Sequence, residues 1–486
     1  MTGPLRRVLA ITALVAVLVG TGVLDRVIAR PAPPTAPGVR ALSSLEVAPT
    51  PGTESSAWFC AGGSGAQGGA PATIVLTNVG RHPVHGTVSA ISAPEGAAQP
   101  APWAGARTMA LTVPTDGQVT VGAAQLGSTG LVAAAVVLDG GGVAVSEAVQ
   151  SPLGWSMAPC SPSTAADWYF AHGATTEGGG LILSLFNPTA TDAVVNISLV
   201  STTAGYLVPA AYQGIDVGPG SVVTENIGDH DPQDAAVATV VAALSGSLVA
   251  TELQSVGTPG NGGISLTLGA PAPASLWVFP QSTEIPGGAV AFHVLNPSTS
   301  PAVVSVAVGL SLGAGAEPLT LRVAPQSLVT LNAGSQTRIP TGVPYALTFS
   351  SPGTGIVVSR QVRAPAGSPA AVPEAGDVSG VPGGSRRWLL PAVVAPGSGA
   401  WSLAVVDLGA RAATVRITTP SGKAIAGQSP RRVTPGSPLV IGPHPGAPFG
   451  TTSFEVRADQ PVAVELDALP VAQPGVVVVP SFVAPS

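Results

Sequence analysis

The stretch Trp168-Tyr169-Phe170-Ala171-His172-Gly173-Ala174-Thr175, with the apolar run 181–186 and Asn187-Pro188 after it, recurs along this chain of 486 residues. Tryptophans spaced by 110, 109 and 111 residues open the equivalent stretches: Trp58, Trp168, Trp277 and Trp388. Self-similarity at a fixed period indicates a repeated structural unit. This period is that of a small domain, so the sequence predicts one module copied four times.

Each module shows a regular pattern of short apolar runs and turns. About twenty residues after each tryptophan, an apolar run ends at an Asn or Asp, which bonds its own backbone readily in turns: Asn78, Asn187, Asn296 and Asp407. A second run follows, and in Val195–Leu199 it alternates with the period of two that is typical of a half-buried strand. We count six or seven strands per copy, which fits an immunoglobulin-like β-sandwich of about 100 residues. A propeller blade would need only about 40–50 residues.

The repeated tryptophans have two possible roles, a plug in the sandwich core or a platform on which a sugar stacks. Each lies two residues before another large apolar group or, in the first copy, a cysteine. Residues two apart in a strand share a face, and a large ring buries much apolar area. The pattern therefore favours the core.

These patterns predict an all-β protein in which an N-terminal transmembrane helix precedes four tandem immunoglobulin-like β-sandwich modules. Residues 1–29 form the signal anchor and residues 30–56 a Pro/Ala-rich, semi-rigid spacer. The modules occupy residues 57–163, 164–272, 273–383 and 384–486, the last with a C-terminal tail. Two Gly/Pro-rich stretches, 257–273 and 364–384, are interpreted as linkers.

The N-terminus indicates export. Arg6 and Arg7 precede an uncharged apolar run from Val8 to Leu24. This length is near the lower limit for a spanning helix, and positive charges in front favour a cytoplasmic amino end. We expect a single-pass anchor in the cell membrane, with the repeats outside the cytoplasm. The alternative is a signal peptide cleaved near Ala29, which would release a secreted protein.

Cys60 and Cys160 are the only cysteines. In an exported chain, two cysteines predict a disulfide. The bond would close a 100-residue loop around the first module, and such a loop contributes about 4.7 kcal/mol in the chain-entropy treatment. A catalytic thiol and a metal ligand are the competing interpretations, but neither has a motif here.

Composition and motifs point away from several function classes. Charged residues make up 9% of the chain, against about 25% in ordinary soluble proteins, and no basic stripe predicts nucleic-acid binding. The cluster from Asp229 to Asp234 lacks the glycine and the distal glutamate of a calcium loop. His82 and His85 have no identifiable third metal ligand. We therefore predict no catalytic residue, no metal and no cofactor, although carboxylates paired only in space stay possible.

The second copy carries a resemblance to a known family. Its run from Trp168 to Thr175, followed by Asn187-Pro188, resembles a secreted bacterial repeat with the consensus W-Y-F-A-E-G-x-T, in which His172 replaces the usual acidic residue. The Glu-Arg that often ends the repeat is represented by Thr251-Glu252 and Ser359-Arg360. The four copies, the anchor and the two cysteines resemble the actinobacterial DUF5719 family. This resemblance implies an exported β-sandwich protein without an assigned activity, so it transfers no catalytic residue.

The sequence thus leads us to expect a non-catalytic scaffold of the bacterial cell envelope, whose partner is an envelope protein or a cell-wall polymer. Linked modules suit multivalent contact, because linkage raises avidity without new contacts. One alternative is binding of cell-wall carbohydrate through exposed aromatic residues, for which the candidates are Trp103, Trp155, Trp401, Tyr206 and Tyr212. The other alternative is an envelope hydrolase with an unrecognised site.

Overall fold

Each copy of the repeat folds into antiparallel strands that enclose an apolar core. The computed structural model describes residues 54–67, 69–92, 103, 105–127, 130–176, 179–230, 233–258, 261–284, 286–311, 313, 315–363, 376–391, 400–420, 422–423, 430–442, 453–469, 477–479 and 481–483. These residues form an all-β protein and belong to one compact unit. Among them, no helix is both long and apolar enough to cross a bilayer. The predicted anchor from Val8 to Leu24 lies outside the described residues.

The first module pairs the sheets β1-β6-β3-β4 and β5-β2-β7-β8. A short helix α1 (Ala123–Leu126) follows the fifth strand. The strands are β1 (Ser56–Ser64), β2 (Ala72–Asn78), β3 (Val84–Ser92), β4 (Arg107–Val113), β5 (Gln118–Gly122), β6 (Leu131–Leu138), β7 (Val143–Ser151) and β8 (Gly154–Pro159).

The second and third modules repeat this topology. Module 2 contains β9 (Asp167–Gly173), β10 (Gly180–Asn187), β11 (Ala193–Ser201), β12 (Gly205–Leu207), β13 (Ile215–Val217), β14 (Ser221–Asn226), β15 (Val237–Ser245), β16 (Val249–Thr258) and β17 (Asn261–Leu268), with 3-10 turns at Ala210–Tyr212 and Ile227–Asp229. Module 3 contains β18 (Leu276–Ser282), β19 (Ala289–Asn296), β20 (Ala302–Leu310), β21 (Gly315–Val323), β22 (Ser327–Asn332), β23 (Tyr345–Ser350), β24 (Val357–Arg363) and β25 (Gly376–Ser379), with a 3-10 turn at Ala333–Ser335. Their sheets are β12-β11-β15-β9 (with β13 also on β11), β14-β10-β16-β17, β18-β23-β20-β21 and β22-β19-β24-β25.

The fourth module differs because one long strand, β31, serves both sheets. Its first half pairs with β26 and β28, and its second half pairs with β27. The strands are β26 (Ser385–Leu390), β27 (Ala400–Asp407), β28 (Ala413–Thr418), β29 (Arg431–Val433), β30 (Pro438–Ile441), β31 (Phe454–Leu469), β32 (Val477–Val479) and β33 (Phe482–Val483). The apolar tail, whose place the sequence left open, thus adds β32 to β31 of its own module.

The two stretches interpreted as linkers contain strands. β17 lies within 257–273, where Thr258 and Asn261 face each other at the end of a hairpin with β16. β25 lies within 364–384 and pairs with β24. The alternation that follows forms the returning strand, whose Ile264, Leu266 and Leu268 are buried. The described part of modules 1 and 3 therefore has eight strands each, more than the six or seven expected.

All four repeated tryptophans are buried, which confirms the core interpretation. In three modules the indole nitrogen donates to a backbone carbonyl. Trp168 donates to Leu248 (2.9 Å) and Trp277 to Ile356 (2.6 Å), each just before a late strand of its module, and Trp388 donates to Val462 (2.7 Å) in the middle of β31. Trp58 Nε1 has no partner among the described residues. The ring thus fills the core and also ties the first strand to the strand that closes the module.

The repeated Asn side chains hold the turn that follows the second strand. The Asn187 amide nitrogen donates to the carbonyls of Thr191 and Val217, both at 2.8 Å, and its oxygen accepts from Thr189 N at 3.0 Å. Asn78 and Asn296 make equivalent bonds. The Asp407 side chain has no N–H group to donate. Its carboxylate instead accepts hydrogen bonds from the backbone nitrogens of Gly409 and Ala413.

Asn187→Asp is expected to destabilise the protein by about 2–4 kcal/mol, because the buried carbonyl of Val217 and the partly buried carbonyl of Thr191 lose their donor. Such a loss costs about 1–3 kcal/mol and less where water reaches the group. Chemical denaturation would measure the effect. The control is Thr191→Ala, which keeps the accepting backbone carbonyl and removes only an exposed side chain; it should change stability by less than about 0.5 kcal/mol. Equal losses in the two variants would contradict the role of the Asn187 amide.

The predicted disulfide between Cys60 and Cys160 is confirmed. It lies beside a backbone bridge between Phe59 and Ser161, in which each residue donates to the other at 2.8 Å. Modules 2 and 3 have the same bridge, with a Phe–Gly pair in place of the cystine: Phe170 with Gly269, and Phe279 with Gly380. A Cβ on either glycine would lie 2.7 Å from the facing ring. The cystine thus replaces a tightly packed ring contact.

The modules contact each other in a closed ring. Modules 1 and 2 share an apolar cluster that includes Ala133, Ala135, Phe186 and Val222. β24 and β25 of module 3 contact β9 and β17 of module 2, and β31 of module 4 contacts β18 of module 3. Module 4 then returns to module 1. Phe482 in the tail packs its ring against Trp58, with ring centroids 5.6 Å apart.

Candidate functional site

The first strand of modules 1 to 3 bulges shortly after its tryptophan. The registers of β1, β9 and β18 against their partners shift at this point. The fourth residue after each tryptophan lies in the bulge: Gly62, His172 and Gln281, which we call the bulge residues. A β-bulge re-aims a side chain and is frequent near functional sites. Two bulge residues use this to contact the next module.

Glu147 on β7 binds the bulge of module 1. Its carboxylate accepts from Gly63 N at 3.0 Å, and the side chain is buried. Burial raises the pKa of Glu147 to about 7, although backbone donors at positions 61–63 favour the ionised form. The bulge also touches module 2, since the Thr251 hydroxyl donates to the carbonyl of Ala61. This carboxylate therefore holds strand geometry at the contact between modules 1 and 2.

The bulge residue of module 2, His172, stacks on His293 of β19 in module 3. The ring centroids are 3.8 Å apart with an interplanar angle of 30°, and both side chains are buried. His172 Nε2 is 3.3 Å from the carbonyl of Ala235, and His293 Nδ1 is 3.1 Å from the Thr330 hydroxyl. Burial lowers the pKa of His293 well below its ordinary value, and His172 and Arg363 lower it further.

Arg360 of β24 joins modules 3 and 4. Its Nη1 donates to the carbonyl of Gln281 and to the Ser282 hydroxyl, and its Nη2 contacts Glu465 Oε1 at 2.7 Å. The guanidinium also lies 5.9 Å from the centre of the Phe279 ring. Asp467 is buried two residues beyond Glu465, and burial and the Glu465 charge raise its pKa well above its ordinary value. Arg360 thus neutralises a buried acidic pair of the next module.

A hydrogen bond between side chains adds to the contact between modules 3 and 4. The bulge residue Gln281 donates to the Ser402 hydroxyl at 2.9 Å. Close by, the Tyr345 hydroxyl donates to Glu284 at 2.9 Å. Burial raises the pKa of Tyr345, and the Glu284 charge raises it further. The polar groups of this region are therefore bound to each other rather than directed at a cleft.

The polar candidates from the sequence occupy other places. Asp234 accepts hydrogen bonds from the hydroxyls of Ser201, Thr202 and Thr203. Burial acts to raise the pKa of Asp234, but these donors and Ala236 N together lower it. Asp229 accepts from Asn226 Nδ2 at 2.8 Å. Among the described residues, no group of three or more His, Cys, Asp and Glu side chains could hold a metal ion.

The aromatic candidates for carbohydrate stacking are mostly inside the protein. Trp155, Trp401 and Tyr212 are buried. Trp103 packs edge-on against Phe186 at 5.9 Å, so part of its ring is used at the contact between modules 1 and 2. Tyr206 is the exposed member of the set. These five residues therefore do not form a shared platform.

A shallow groove of about 530 Å³ lies on the outer face of the sheet that contains β3, β4 and β6. It is lined in part by His85, Thr87, Thr112, Val137 and Asp139. His85 Nδ1 is 2.8 Å from the Thr112 hydroxyl, and Val137 exposes 47% of its surface. The groove thus combines an apolar patch with hydroxyl, imidazole and carboxylate groups.

The residues that join the modules could not be recognised in that role from the sequence. Glu147 and Arg360 are charged residues inside otherwise apolar strands. Both occupy the same position in their module, four residues after the residue that lies opposite the repeated Asn. A charged residue inside an apolar strand is a usable signal, because such groups are rarely buried without a partner. Their partners could not be inferred, since they come from other modules or from the bulge.

Comparison with known proteins yields a family but no activity. A family model described as "Family of unknown function (DUF5719)" matches residues 153–444. No curated protein is similar in sequence at a significant level. A crystal structure of trypsin-activated alpha-2-macroglobulin from Escherichia coli aligns with 90% of this chain at 10% identity and a TM-score of 0.12, a likeness too low to carry an argument. The chain spans 42% of that protein's length.

Proposed function

The chain belongs to the DUF5719 family, whose function is unknown, and we propose that it is a non-catalytic extracytoplasmic scaffold of the bacterial cell envelope. One observation carries the proposal: the buried ionisable groups Glu147, His293, Arg360 and Glu465 bind backbone or side chains that join strands and modules. An enzyme needs such groups directed at a substrate. A rigid ring of modules suits a platform that presents its outer faces.

The disulfide supports a location outside the cytoplasm, because such bonds persist in oxidising environments. We propose that residues 8–24 anchor the chain in the membrane with the amino end in the cytoplasm; secretion after cleavage is the alternative. We further interpret the paired sheets of each module as an immunoglobulin-like sandwich, because two antiparallel sheets there face each other across one core.

The partner is proposed to be an envelope protein that binds the outer sheet faces. Apolar side chains on these faces are unusually exposed in the two central modules: Leu244 exposes 65% of its surface and Val303 exposes 52%. The modules carry few charges, so contact with an apolar and hydroxyl-rich face would need little desolvation of ions. The four-module ring would present several such faces at fixed spacing.

Site-specific photo-crosslinking in cells tests the scaffold. A photoreactive side chain at Leu244 or Val303 of the full-length chain should capture a discrete envelope protein. The matched control is the same group at Asp192, an exposed turn residue of module 2, which should not capture it. Crosslinks at all three positions to the same abundant proteins would contradict the proposal. Hydrolysis of cell-wall material by the purified protein would replace it with the enzyme alternative.

The groove on module 1 favours a second candidate function, binding of cell-wall glycan. Its apolar patch at Val137, next to the groups of His85 and Asp139, is suited to a sugar ring and its hydroxyls. His85→Ala with Val137→Ser should then abolish retention of the protein on isolated glycan, and Tyr206→Ala should not. Unchanged retention in the double variant would exclude this groove as the glycan site.

A further inference from the structure

The contact between modules 2 and 3 contains two stacked imidazoles in a buried position. The bulge places His172 of β9 against His293 of β19, with ring centroids 3.8 Å apart. Each side chain is at least 96% buried. Among the described residues, His293 Nε2 has no hydrogen-bond partner. A proton on the His293 ring would therefore be buried, where the Gln361 side chain offsets only part of the cost of its charge.

The described side chains that act on His293 leave a positive charge there largely uncompensated. Arg363 at the end of β24 adds a like charge near His293. The polar side chain of Gln361, on the same strand, favours the protonated ring of His293 and offsets part of this repulsion. In the ladder with β25, Asp377 pairs with Gln361. From β22, Thr330 offers a hydroxyl to Nδ1, and on the other side the carbonyl of Ala235 faces His172. A second positive ring 3.8 Å away would repel the first.

We propose that His293, stacked on His172, makes the contact between modules 2 and 3 acid-sensitive, so that protonation of the His293 ring opens this contact and leaves the other module contacts closed. Opening separates the two rings and lets the imidazolium of His293 reach water. The ligand of this switch is the proton itself. The inference is independent of the proposed scaffold function, because it concerns how one contact in the ring responds to acid.

The sign of the pH dependence follows from linkage. His293 has a lower pKa when the contact is closed than when it is open, so the open state binds more protons. The closed contact is therefore fully favoured above the ordinary histidine pKa of about 6.5 and weakens as the pH falls below it. The opening equilibrium constant should rise by up to about tenfold per pH unit for one proton.

Glu147 acts in the opposite direction in module 1. Its pKa is raised to about 7, so the folded state there binds more protons than the unfolded state and gains stability as the pH falls from about 7 to 4.5. Because the two effects partly cancel, global unfolding is a poor readout. The test has to measure opening locally, at the contact between modules 2 and 3.

Hydrogen exchange of the full-length protein at pH 7.5 and 5.5, corrected for intrinsic exchange rates, provides this measurement. Amides of β19 and β22 should open about tenfold more at pH 5.5, whereas amides of β18 and β27 at the contact between modules 3 and 4 should not. His293→Gln should abolish the acid effect, and His82→Gln at an exposed turn should preserve it. An acid effect of equal size in His293→Gln would overturn the proposal.

If His293→Gln does not fold, histidine NMR titration of the unaltered protein provides a second test. The His293 ring should remain neutral well below the ordinary histidine pKa of about 6.5. Titration of the His293 ring near the ordinary value of about 6.5, without a change in the amides of β19, would also overturn the proposal.

Discussion

Arg360→Met is expected to destabilise the protein by about 3–5 kcal/mol, because removing one partner of a buried ion pair leaves the other charge without compensation. Arg360 and Glu465 are almost fully buried and 2.7 Å apart, and Asp467 lies buried two residues away. Methionine has a similar length and keeps the apolar contact with Phe279. The loss should therefore come from the charge rather than from a cavity.

The same chain supplies a matched control for this substitution. Arg338 pairs with Glu317 at 3.4 Å in module 3, but the Glu317 side chain is 82% exposed. Exposed pairs contribute about 0–1 kcal/mol, so Arg338→Met should change stability little. The double variant Arg360→Met with Glu465→Leu should recover a large part of the loss, because the unpaired carboxylate is gone. Denaturant unfolding of the four proteins decides this, and an equal effect of the two single substitutions would contradict a buried pair.

The pH dependence of the stability of Arg360→Met also checks whether the loss comes from an uncompensated buried carboxylate. Without the guanidinium, the buried Asp467, whose pKa is raised by burial and by the Glu465 charge, should be protonated still more readily in the folded state than in the unfolded state. Its contribution to stability is then lost as the pH rises above the ordinary Asp pKa of about 4. The difference from the parent protein should thus shrink below pH 5. A difference that is constant between pH 4 and 8 would count against this explanation.

Loss of the disulfide is expected to have a comparable effect. Replacing Cys60 and Cys160 by alanine should destabilise the protein by about 2–5 kcal/mol, since a native disulfide that closes a long loop restricts the unfolded state. The bond also joins β1, which contains Trp58, to Cys160 after β8, and the tail residue Phe482 packs against Trp58. We therefore expect module 1 to separate from module 4 in this variant.

Chemical denaturation with and without a reductant measures the disulfide effect. Reduction should lower the stability of the parent protein to that of the double-alanine variant and should leave the variant unchanged. Exchange of amides in β1 and β33 should increase together. A parent protein whose stability is insensitive to reduction, with both thiols shown to be free, would disprove the predicted contribution.

Patterns within one module could be predicted from the sequence. The period of Trp58, Trp168, Trp277 and Trp388 and the apolar runs that end at Asn187 and Asn296 predicted strands that the structure contains. The position of Cys60, where other copies have Phe170 and Phe279, marked a contact that the structure realises as a cystine. These features depend on neighbours close in sequence or on equivalent places in the copies, so the chain itself displays them.

Contacts of long sequence separation could not be predicted in this way. The Gly- and Asn-rich run before Ile264 resembled a linker because a hairpin turn and a linker have the same composition. His172 resembled an isolated substitution until the bulge of β9 brought it against His293, 121 residues later. Arg360 and Glu465 are 105 residues apart, and the Ser359-Arg360 pair at the end of its copy did not indicate that the arginine binds a residue of module 4.

The sequence by itself determined the all-β class, the burial of the repeated tryptophans and the disulfide, because side-chain periodicity follows from strand geometry and the only two cysteines of an exported chain pair with each other. Only the tertiary structure decided that the modules close into a ring and that His293, Arg360 and Glu465 join them. The physical reason is that a buried ionisable group is stable only with a specific partner, and here that partner comes from a different module.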